Sequence, residues 1–380
     1  MFEPNETQNM VRDAARRFAQ ETLAPIAGEL DREQRFPAEQ LKQLAELGLM
    51  GVNVPEEYGG AAAGAVAYVM AMMEIAAGCA STAVTMAVNN MVAEIISRFG
   101  SEEQKKRYVP EITSGRFVSA SFALSEAQSG SDAAALRSNA KREGDGWILN
   151  GSKQWITSGD KAGVLVVWAR TESVAGHPSK GISCFLVEGG VKGLSAGKHE
   201  DKMGLRASST VPLAFEDVRL PKSALLGAEG QGFAIAMTAL DGGRLGIAAQ
   251  ACGIGAAAVD DAVKYARDRH AFGKAIGDFQ AIRFMLADCA TEMDAARLLT
   301  LRAAALKEAG RPFTREGSMA KLFASEAANR AAQVGVQIHG GYGYVGEFPA
   351  ERHYRDARVT TIYEGTSEIQ RIVIARDVLR

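Results

Sequence analysis

Hydrophobic periodicity changes twice along this chain, and these changes restrict the fold more than any other feature of the sequence. Apolar residues recur at helical spacing in residues 1–117, form short strand-like runs bounded by Gly, Pro or charge in residues 118–225, and return to helical spacing in residues 226–380. We therefore expect three domains in a mostly α-helical protein: N-terminal helices, a central β-barrel or sandwich, and an antiparallel C-terminal helical bundle.

Local signals place elements in the first two domains. Asn5, with Gln8 three residues later, is typical of a helix N-cap, and Pro25 predicts an early break in the first helical stretch. Strand-like residues flank the dipeptide Asn150-Gly151, which favours a hairpin turn. The sequence therefore predicts a capped first helix and a hairpin near the start of the β domain.

The C-terminal third carries an apolar stripe over residues 285–306 and an Ala-rich segment at 319–336, which predict two long helices. Two glycine patterns, at 253–258 and 341–346, match the spacing of a dinucleotide-binding fingerprint. Neither follows a predicted strand and opens a helix, as a βαβ unit requires. We therefore reject a Rossmann domain, and expect the second pattern to expose backbone N–H groups to a ligand.

Composition excludes several classes of function. The formal net charge of −2, without a long basic block, argues against nucleic-acid binding. The four Cys form no CxxC pair, and the five His show neither ligand spacing nor an acidic partner, so we expect no metal and no disulfide framework. The start of the chain lacks a cationic segment followed by an apolar run, and no apolar stretch is long enough for a bilayer. These features predict a cytoplasmic protein that is not membrane-bound.

Glu364 is the strongest candidate for a catalytic group. It stands between Tyr363 and Gly365, an environment that can remove a carboxylate from water, raise its pKa and make it a better base near neutral pH. The alternative is purely structural, because Thr366 or Ser367 can cap a terminal helix. The two interpretations are compatible.

Trp155 and Thr157 are two residues apart on a predicted strand, so both side chains should emerge on one face. A flat aromatic surface beside a hydroxyl suits a flavin, although a Trp in an ordinary β core is the alternative. Arg269 follows a predicted helix and could hold a pyrophosphate through its forked guanidinium, whereas an Arg at such a position is usually only solvated.

Four segments together, 47–51, 54–60, 340–344 and 362–371, resemble the acyl-CoA dehydrogenase family, and the likeness extends over essentially the whole chain. The sequence is most similar to the short-chain (butyryl-CoA) branch. The resemblance implies an N-terminal helical domain, a middle β-barrel and a C-terminal four-helix bundle, with FAD as cofactor and a homotetramer built as a dimer of dimers.

The resemblance also assigns roles to residues. Glu364 would be the catalytic base, and position 243, which carries the catalytic Glu in the isovaleryl-type and long-chain enzymes, is a glycine here. Ala127-Gln128 replaces the usual Pro-Gly, so the path of the adjoining loop is open. FAD contacts are implied for Phe122, Leu124, Ser125, Ser131, Trp155, Ile156, Thr157, Arg269, Phe272, Gln280, Gln337, Gly340, Gly341, Thr366 and Glu368, with the segment 337–341 reaching the FAD of a neighbouring subunit. Acyl-CoA contacts are implied for Ser131, Asp241, Arg244 and Gly365, the alternative for Asp241 and Arg244 being an ion pair on a helix surface.

The implied reaction is α,β-dehydrogenation of a short-chain acyl-CoA thioester. Glu364 would remove the α-proton, the β-hydrogen would leave as hydride to FAD, and electron-transferring flavoprotein would accept the electrons. Chain length and 2-methyl branching stay open, and with them a place in fatty acid or branched-chain amino acid degradation. An acyl-CoA oxidase is a same-fold alternative, disfavoured by the short chain. A non-redox, DNA-protecting member is disfavoured by the absence of a basic C-terminal domain.

Overall fold

The computed structural model describes residues 3–380, so Met1 and Phe2 of the segment used to predict localisation lie outside it. Helices dominate both ends of the chain, and strands occupy the middle. The helices are α1 (Glu6–Phe18), α2 (Ala24–Glu33), α3 (Ala38–Glu46), α4 (Gly64–Gly78), α5 (Ala80–Phe99), α6 (Glu102–Thr113), α7 (Gly232–Asp268), α8 (Gln280–Glu308), α9 (Thr314–His339), α10 (Ala350–Arg358) and α11 (Ser367–Val378). The strands are β1 (Ser119–Ala123), β2 (Asn139–Glu143), β3 (Gly146–Thr157), β4 (Ala162–Arg170), β5 (Ile182–Glu188), β6 (Leu194–Ala196), β7 (Thr210–Leu220), β8 (Leu225–Leu226), β9 (His270–Ala271) and β10 (Lys274–Ala275).

The N-terminal helices begin as the sequence predicts but do not break where expected. Asn5 and Gln8 form a complete capping box at the start of α1. The break predicted at Pro25 is wrong, because a π-helical turn at Ala19–Leu23 carries the chain directly from α1 into α2. Pro25 comes just after the π-helical turn, a local irregularity that accommodates a residue without an N–H donor inside a continuous helical segment.

The middle domain is one eight-stranded sheet in the order β6-β7-β3-β2-β4-β5-β8, with β1 paired in parallel to β4. The sheet is strongly curled, since Trp147 on β3 and Phe185 on β5 meet inside it with ring centroids 5.3 Å apart. Strand β4 is buried on both faces: Leu165 and Val167 point into the sheet, while Trp168 faces the helices and donates to the Gly232 carbonyl at 2.7 Å. The sheet therefore packs directly against the start of α7.

The hairpin predicted at Asn150-Gly151 is wrong. Strand β3 runs through both residues, and the turn between β2 and β3 lies at residues 144–145 instead. The dipeptide sits at a bulge where β3 pairs with β7, and the Asn150 side chain exchanges two hydrogen bonds with Asp217 across the strands. A local turn signal was thus overridden by pairing with a distant strand.

The C-terminal domain consists of the long helices α7, α8 and α9, with α10 and α11 packed on α9 and α7. The stripe predicted on α8 is confirmed at Cys289, Met293, Ala296 and Ala303, all of which are buried. Alanines of α9 pack closely against α7. The glycine pattern at 253–258 lies inside α7 and the one at 341–346 follows the end of α9, so neither is in a βαβ unit.

Two further observations bear on the class of protein. All four cysteines are buried free thiols in the part of the chain that the structure describes. Over residues 3–380, none of the helices combines the length and apolar character needed to cross a bilayer.

Candidate active site

Glu364 lies in a tight turn between α10 and α11 whose backbone is left-handed at two successive residues. The φ angle is 52° at Glu364 and 88° at Gly365, and the second position requires glycine because a side chain there would be strained. Lys321 Nζ on α9 donates to the Gly365 carbonyl at 2.8 Å, and Gln370 Nε2 donates to the carbonyls of Glu364 and Gly365 at 3.1 and 2.9 Å. Thr366 then caps α11 through its hydroxyl, as the structural interpretation predicted.

The Glu364 carboxyl group is buried, and its Oε2 atom has no hydrogen-bond partner. Burial raises its pKa to about 7, and the positive charges of Arg244 and Lys321 only partly oppose this effect. The backbone N–H of Glu364 also has no acceptor among the described residues. The turn therefore presents a partly protonated carboxyl group and a free donor side by side.

Gly243 on α7 makes room for this carboxyl group. A Cβ atom at position 243 would lie 2.3 Å from Glu364 Oε2 and 2.8 Å from its carboxyl carbon. The observed position of the Glu364 side chain is therefore compatible only with glycine at 243.

A cavity of about 560 Å³ adjoins the carboxyl group. Its wall combines Thr157 at the end of β3, Asp241 on α7 and Glu364 itself. Lys307 of α8 and Glu94 of α5 line the same cavity and form an ion pair 2.6 Å long. The other lining residues are Tyr68, Val84, Ala87, Val88, Asn90, Met91, Ile95, Arg98, Phe99, Thr238, Ala239, Gly242, Gly243, Ile247, Gly310, Arg311, Pro312, Phe313, Thr314 and Tyr363.

Asp241 and Arg244 form an ion pair 2.6 Å long, but the helix-surface alternative is wrong for Arg244, whose residue exposure is 5%. Thr314 Oγ1 donates to the other oxygen of Asp241 at 2.7 Å. Arg244 Nε is buried without a partner. The pair thus lies beside the cavity, with one donor of Arg244 unused.

The predicted flavin-facing residues lie on β1, just after it and at the end of β3, and Thr157 is the one of them that lines the cavity. Trp155 is 61% exposed and adopts a φ of 62° at a bulge, Ile156 is buried below it, and Thr157 reaches the cavity. The β1 segment is held alongside, since the Ser125 carbonyl accepts from the backbone N–H of Gln154 at 2.9 Å. Leu124 is buried, and the Phe122 ring packs on Trp168 with centroids 4.3 Å apart.

Glu126 and Lys153 form a buried ion pair 2.8 Å long that joins these two segments. Lys153 Nζ also donates to the Leu124 carbonyl at 3.1 Å, and Glu126 accepts from the backbone N–H groups of Arg137 and Ser138. Burial opposes ionisation of Glu126, but Lys153 and these donors outweigh it and lower the pKa to about 2. The contribution of Glu126 is therefore complete above its ordinary pKa of 4.5 and is lost as the pH falls toward 2. Burial lowers the pKa of Lys153 to about 8, so the pair loses its cation as the pH rises above 8.

The dipeptide Ala127-Gln128, which stands in place of the usual Pro-Gly, lies in a loop whose two ends are hydrogen-bonded to each other. Glu126 and Ser129 exchange backbone hydrogen bonds of 2.9 and 3.0 Å across it, and Gln128 Nε2 donates to Glu126 at 2.7 Å. Ser131, the predicted shared contact for FAD and substrate, is exposed just beyond this loop.

The remaining predicted FAD residues do not join this site within one chain. They gather where α7 ends, α8 begins and α9 ends, and they are all exposed. Gly243 and Asp268 are about 25 residues apart on the continuous helix α7, which corresponds to about 37 Å at 1.5 Å per residue. This second set consists of Arg269, Phe272, Gln280, Gln337, Gly340 and Gly341, while Glu368 is exposed on the first turn of α11 near Glu364.

Several site residues escaped the sequence analysis: Lys321, Lys153 with its partner Glu126, and Lys307 with Glu94. The burial of Lys321 could have been predicted, because its spacing of three and four residues places it on the same helix face as the buried residues Ala324, Ala328 and Ala332 of α9. The two ion pairs had no comparable signal, since their partners are far apart in sequence.

The expectation that histidines lack acidic partners is wrong for two of them. His199 Nε2 is 2.9 Å from Asp160, and His353 Nε2 is 3.0 Å from Asp261, across 39 and 92 residues of sequence. Over residues 3–380, the structure brings together no group of three His, Cys, Asp or Glu side chains that could hold a metal ion.

Family models match three consecutive parts of the chain: the acyl-CoA dehydrogenase N-terminal domain at residues 5–116, the middle domain at 121–218 and the C-terminal domain at 230–379. The chain belongs to the acyl-CoA dehydrogenase family. It is 54% identical to the mitochondrial short-chain specific acyl-CoA dehydrogenase of Bos taurus over 99% of this chain and 90% of the relative.

Solved structures agree over the full length. Butyryl-CoA dehydrogenase from Megasphaera elsdenii matches with a TM-score of 0.97 and 40% identity, and both chains are fully covered. A chain in the structure of the electron transferring flavoprotein of Acidaminococcus fermentans matches with a TM-score of 0.98 and 44% identity, again over both whole chains. This acyl-CoA dehydrogenase is therefore a flavin-dependent oxidoreductase with FAD as its cofactor, and its relatives include short-chain enzymes.

We predict that the Glu126–Lys153 pair fixes β3 and the segment after β1 relative to each other. Lys153→Met should lower stability by about 3–5 kcal/mol, because it leaves the Glu126 carboxylate buried without its cation. Thermal unfolding and the flavin absorbance of the purified enzyme measure the effect. The double variant Lys153→Met/Glu126→Gln should recover part of the lost stability, because it removes the unpaired charge and keeps an oxygen that accepts from the backbone N–H groups of this segment. Equal losses in the single and double variants would contradict the coupling.

Proposed function

We propose that this enzyme catalyses the α,β-dehydrogenation of short-chain acyl-CoA thioesters with Glu364 as the catalytic base. One observation carries the proposal: the Glu364 Oε2 atom is buried without a hydrogen-bond partner at the wall of the cavity. A base must keep an acceptor atom free for the proton it abstracts. The pKa of about 7 leaves much of the carboxyl group ionised at neutral pH and makes it a far stronger acceptor than an exposed Glu.

The backbone supplies the second element of the reaction. Removal of the α-proton develops negative charge on the thioester oxygen, and the unpaired N–H of Glu364 is a donor already fixed by the turn. Arg244 and Lys321 add positive charge behind the carboxyl group. Proton abstraction and charge stabilisation would then come from a single residue held by Gly365.

The predicted flavin residues on and near β1 and β3, here called the first set, suit the reacting ring of FAD: Phe122, Leu124, Ser125, Trp155, Ile156 and Thr157. Trp155 presents an exposed aromatic surface, and Thr157 places a hydroxyl on the same cavity as Glu364. When bound, FAD supplies a ring nitrogen that accepts the β-hydrogen as hydride. Leu124, Ser125 and Ile156 would contact the ring, Thr366 and Glu368 would contact the cofactor at the start of α11, and Ser131, Asp241, Arg244 and Gly365 would contact acyl-CoA.

The second set fits the remainder of an FAD held by a neighbouring copy, so we propose a homotetramer built as a dimer of dimers. Gly340 and Gly341 are exposed, with open space where a Cβ atom would stand, and the Phe272 side chain is 95% exposed. The second set lies about 37 Å along α7 from Gly243, which stands beside the proposed base, so a second chain would complete the site. We propose electron-transferring flavoprotein as the electron acceptor because of the similarity to the Acidaminococcus fermentans chain. The cytoplasmic location stays a prediction from the sequence.

The Glu94–Lys307 pair supports a short acyl chain. A Cβ atom at Gly242 would lie 3.5 Å from Lys307 Nζ, and one at Gly243 would touch the base, so the ion pair lies close to the reacting end of the cavity. An apolar chain that extends past this point would bury methylene groups against two charges. The acyl chains of butyryl-CoA and of the 2-methyl-branched isobutyryl-CoA are short enough to avoid burying methylene groups against this ion pair.

We expect Glu364→Gln to lower kcat with butyryl-CoA by about 10²–10⁴-fold, because the amide cannot accept the α-proton. Anaerobic bleaching of the flavin by butyryl-CoA, isobutyryl-CoA and octanoyl-CoA measures the reaction. In the wild type, kcat/KM should fall as the pH drops below about 7, where Glu364 becomes protonated.

Glu39→Gln is the control, since it removes an exposed carboxylate on α3 that belongs to neither predicted site and should leave bleaching nearly intact. A flavin-loaded wild type that no thioester bleaches would sink the dehydrogenase proposal. Rapid reoxidation by air in the presence of product would favour the oxidase alternative, and a protein that takes up no FAD would favour the non-redox one.

We expect the double variant Glu94→Ala/Lys307→Ala to accept longer chains. Its ratio of kcat/KM for octanoyl-CoA to that for butyryl-CoA should rise about tenfold, since one methylene group in an apolar pocket is worth about 1–3 kcal/mol. The exposed pair Glu111–Arg116, changed in the same way, is the control. An unchanged ratio would show that another part of the cavity limits chain length.

Mixed assemblies test the shared cofactor site. Trp155→Ala/Thr157→Ala and Arg269→Ala/Gln280→Ala should each lose most of their FAD when expressed alone. Coexpressed, they should regain about a quarter of the wild-type flavin, because one site in each mixed dimer combines two intact sets. No recovery in confirmed mixed dimers would mean that one chain holds the whole cofactor.

A further inference from the structure

Lys321 is the most unusual charged residue near the site. Its side chain on α9 is fully buried, and its ammonium group has the Gly365 carbonyl, at 2.8 Å, as its one hydrogen-bond acceptor among the described residues. No carboxylate of residues 3–380 lies within 4.0 Å of it. A buried charge without a paired anion is costly, so a lysine at this position needs a reason beyond packing.

The carbonyl that Lys321 contacts belongs to the strained part of the turn. A non-glycine residue in the left-handed region costs about 1–2 kcal/mol, and Glu364 is such a residue. Two side chains donate hydrogen bonds to the backbone carbonyls of the turn: the charged Lys321 and the neutral Gln370. The hydroxyl of Tyr363 also donates to the Gln250 side chain on α7 and anchors the entrance of the turn.

We propose that Lys321 is a positioning residue for proton abstraction: its buried ammonium group fixes the left-handed turn through the Gly365 carbonyl and favours the ionised form of the adjacent Glu364. The inference rests on the proposed role of Glu364 as the base. The hydrogen bond from Lys321 to the Gly365 carbonyl could be only structural. The inference gives the Lys321 ammonium group a second role, because its positive charge also acts on the Glu364 carboxyl group.

The electrostatic part follows from opposite effects of burial on the two groups. Burial lowers the pKa of Lys321 to about 8 and raises that of Glu364 to about 7, while each charge favours the other. Near neutral pH Lys321 is mostly charged, so its removal should raise the pKa of Glu364 and weaken the base. The other titratable or charged groups around the pair are Tyr68 on α4, Glu94 on α5, Asp241 and Arg244 on α7, Lys307 on α8, Glu326 on α9, Tyr363 in the turn, and Glu368 and Arg376 on α11.

Lys321→Met and Lys321→Gln, measured in the flavin-loaded enzyme, test the proposal. Gln370→Met is the matched control because it removes a neutral donor to the same carbonyl and no charge. Two quantities are followed: the pH dependence of kcat/KM with butyryl-CoA, and the titration of the Glu364 carboxyl group by infrared difference spectroscopy against Glu364→Gln.

Both Lys321 variants should shift the acidic limb and the carboxyl titration upward by about one pH unit. Their activity at pH 7 should fall about fivefold or more, since a pKa near 8 leaves about a tenth of Glu364 ionised. Gln370→Met should lower kcat without moving either titration.

Unshifted profiles in the Lys321 variants, with a normal wild type and an inactive Glu364→Gln, would overturn the inference and leave the proposed base intact. An equal shift in Gln370→Met would also overturn it, because the effect would then come from the turn alone. If neither Lys321 variant retains flavin, the residue is a structural core residue and the inference is wrong. A wild type without dehydrogenase activity would instead contradict the proposed function itself.

Discussion

The packing of α7 against its neighbours is the constraint on which the rest of the structure depends. This helix is lined with small residues, and Ala248, Ala251 and Ala258 are buried against α4, α5 and α9. Close approach of helix backbones fixes the axis of α7 in the domain. One rigid element therefore sets where Asp241, Arg244 and the glycine that accommodates the Glu364 carboxyl group stand relative to the turn.

Two buried carboxylates near the cavity illustrate how surroundings decide function. Glu126 meets an ammonium group and two backbone N–H groups, and its pKa falls to about 2. Glu364 has no hydrogen-bond donor on its buried oxygen, and its pKa rises to about 7. The first is fixed as an anion and joins two strands, whereas the second can change protonation near neutral pH. The contrast follows from the placement of donors and cations, since burial opposes ionisation of both carboxyl groups.

The sequence was informative wherever the signal is local or periodic. The change from helical to strand spacing, the cap at Asn5 and the buried stripe of α8 all follow from the chemistry of nearby residues. Burial of Glu364 was also foreseeable from its apolar and small neighbours. Pro25 and Asn150-Gly151 misled because tertiary contacts decided their conformation: a π-helical turn in one case and pairing with β7 in the other.

The contacts that set the chemistry of the site were less accessible, because they join residues far apart in sequence. Lys321 is 44 residues from Gly365, and Lys307 is 213 residues from Glu94. Such pairs need the path of the chain before they can be found. The proposed role of a neighbouring subunit depends on α7 in another way: the helix runs from Gly243, beside the Glu364 carboxyl group, to the second set of cofactor residues at its end. Because α7 is one continuous helix, Arg269 at its end stays far from Gly243, and this separation is the reason for proposing that a second chain completes the site.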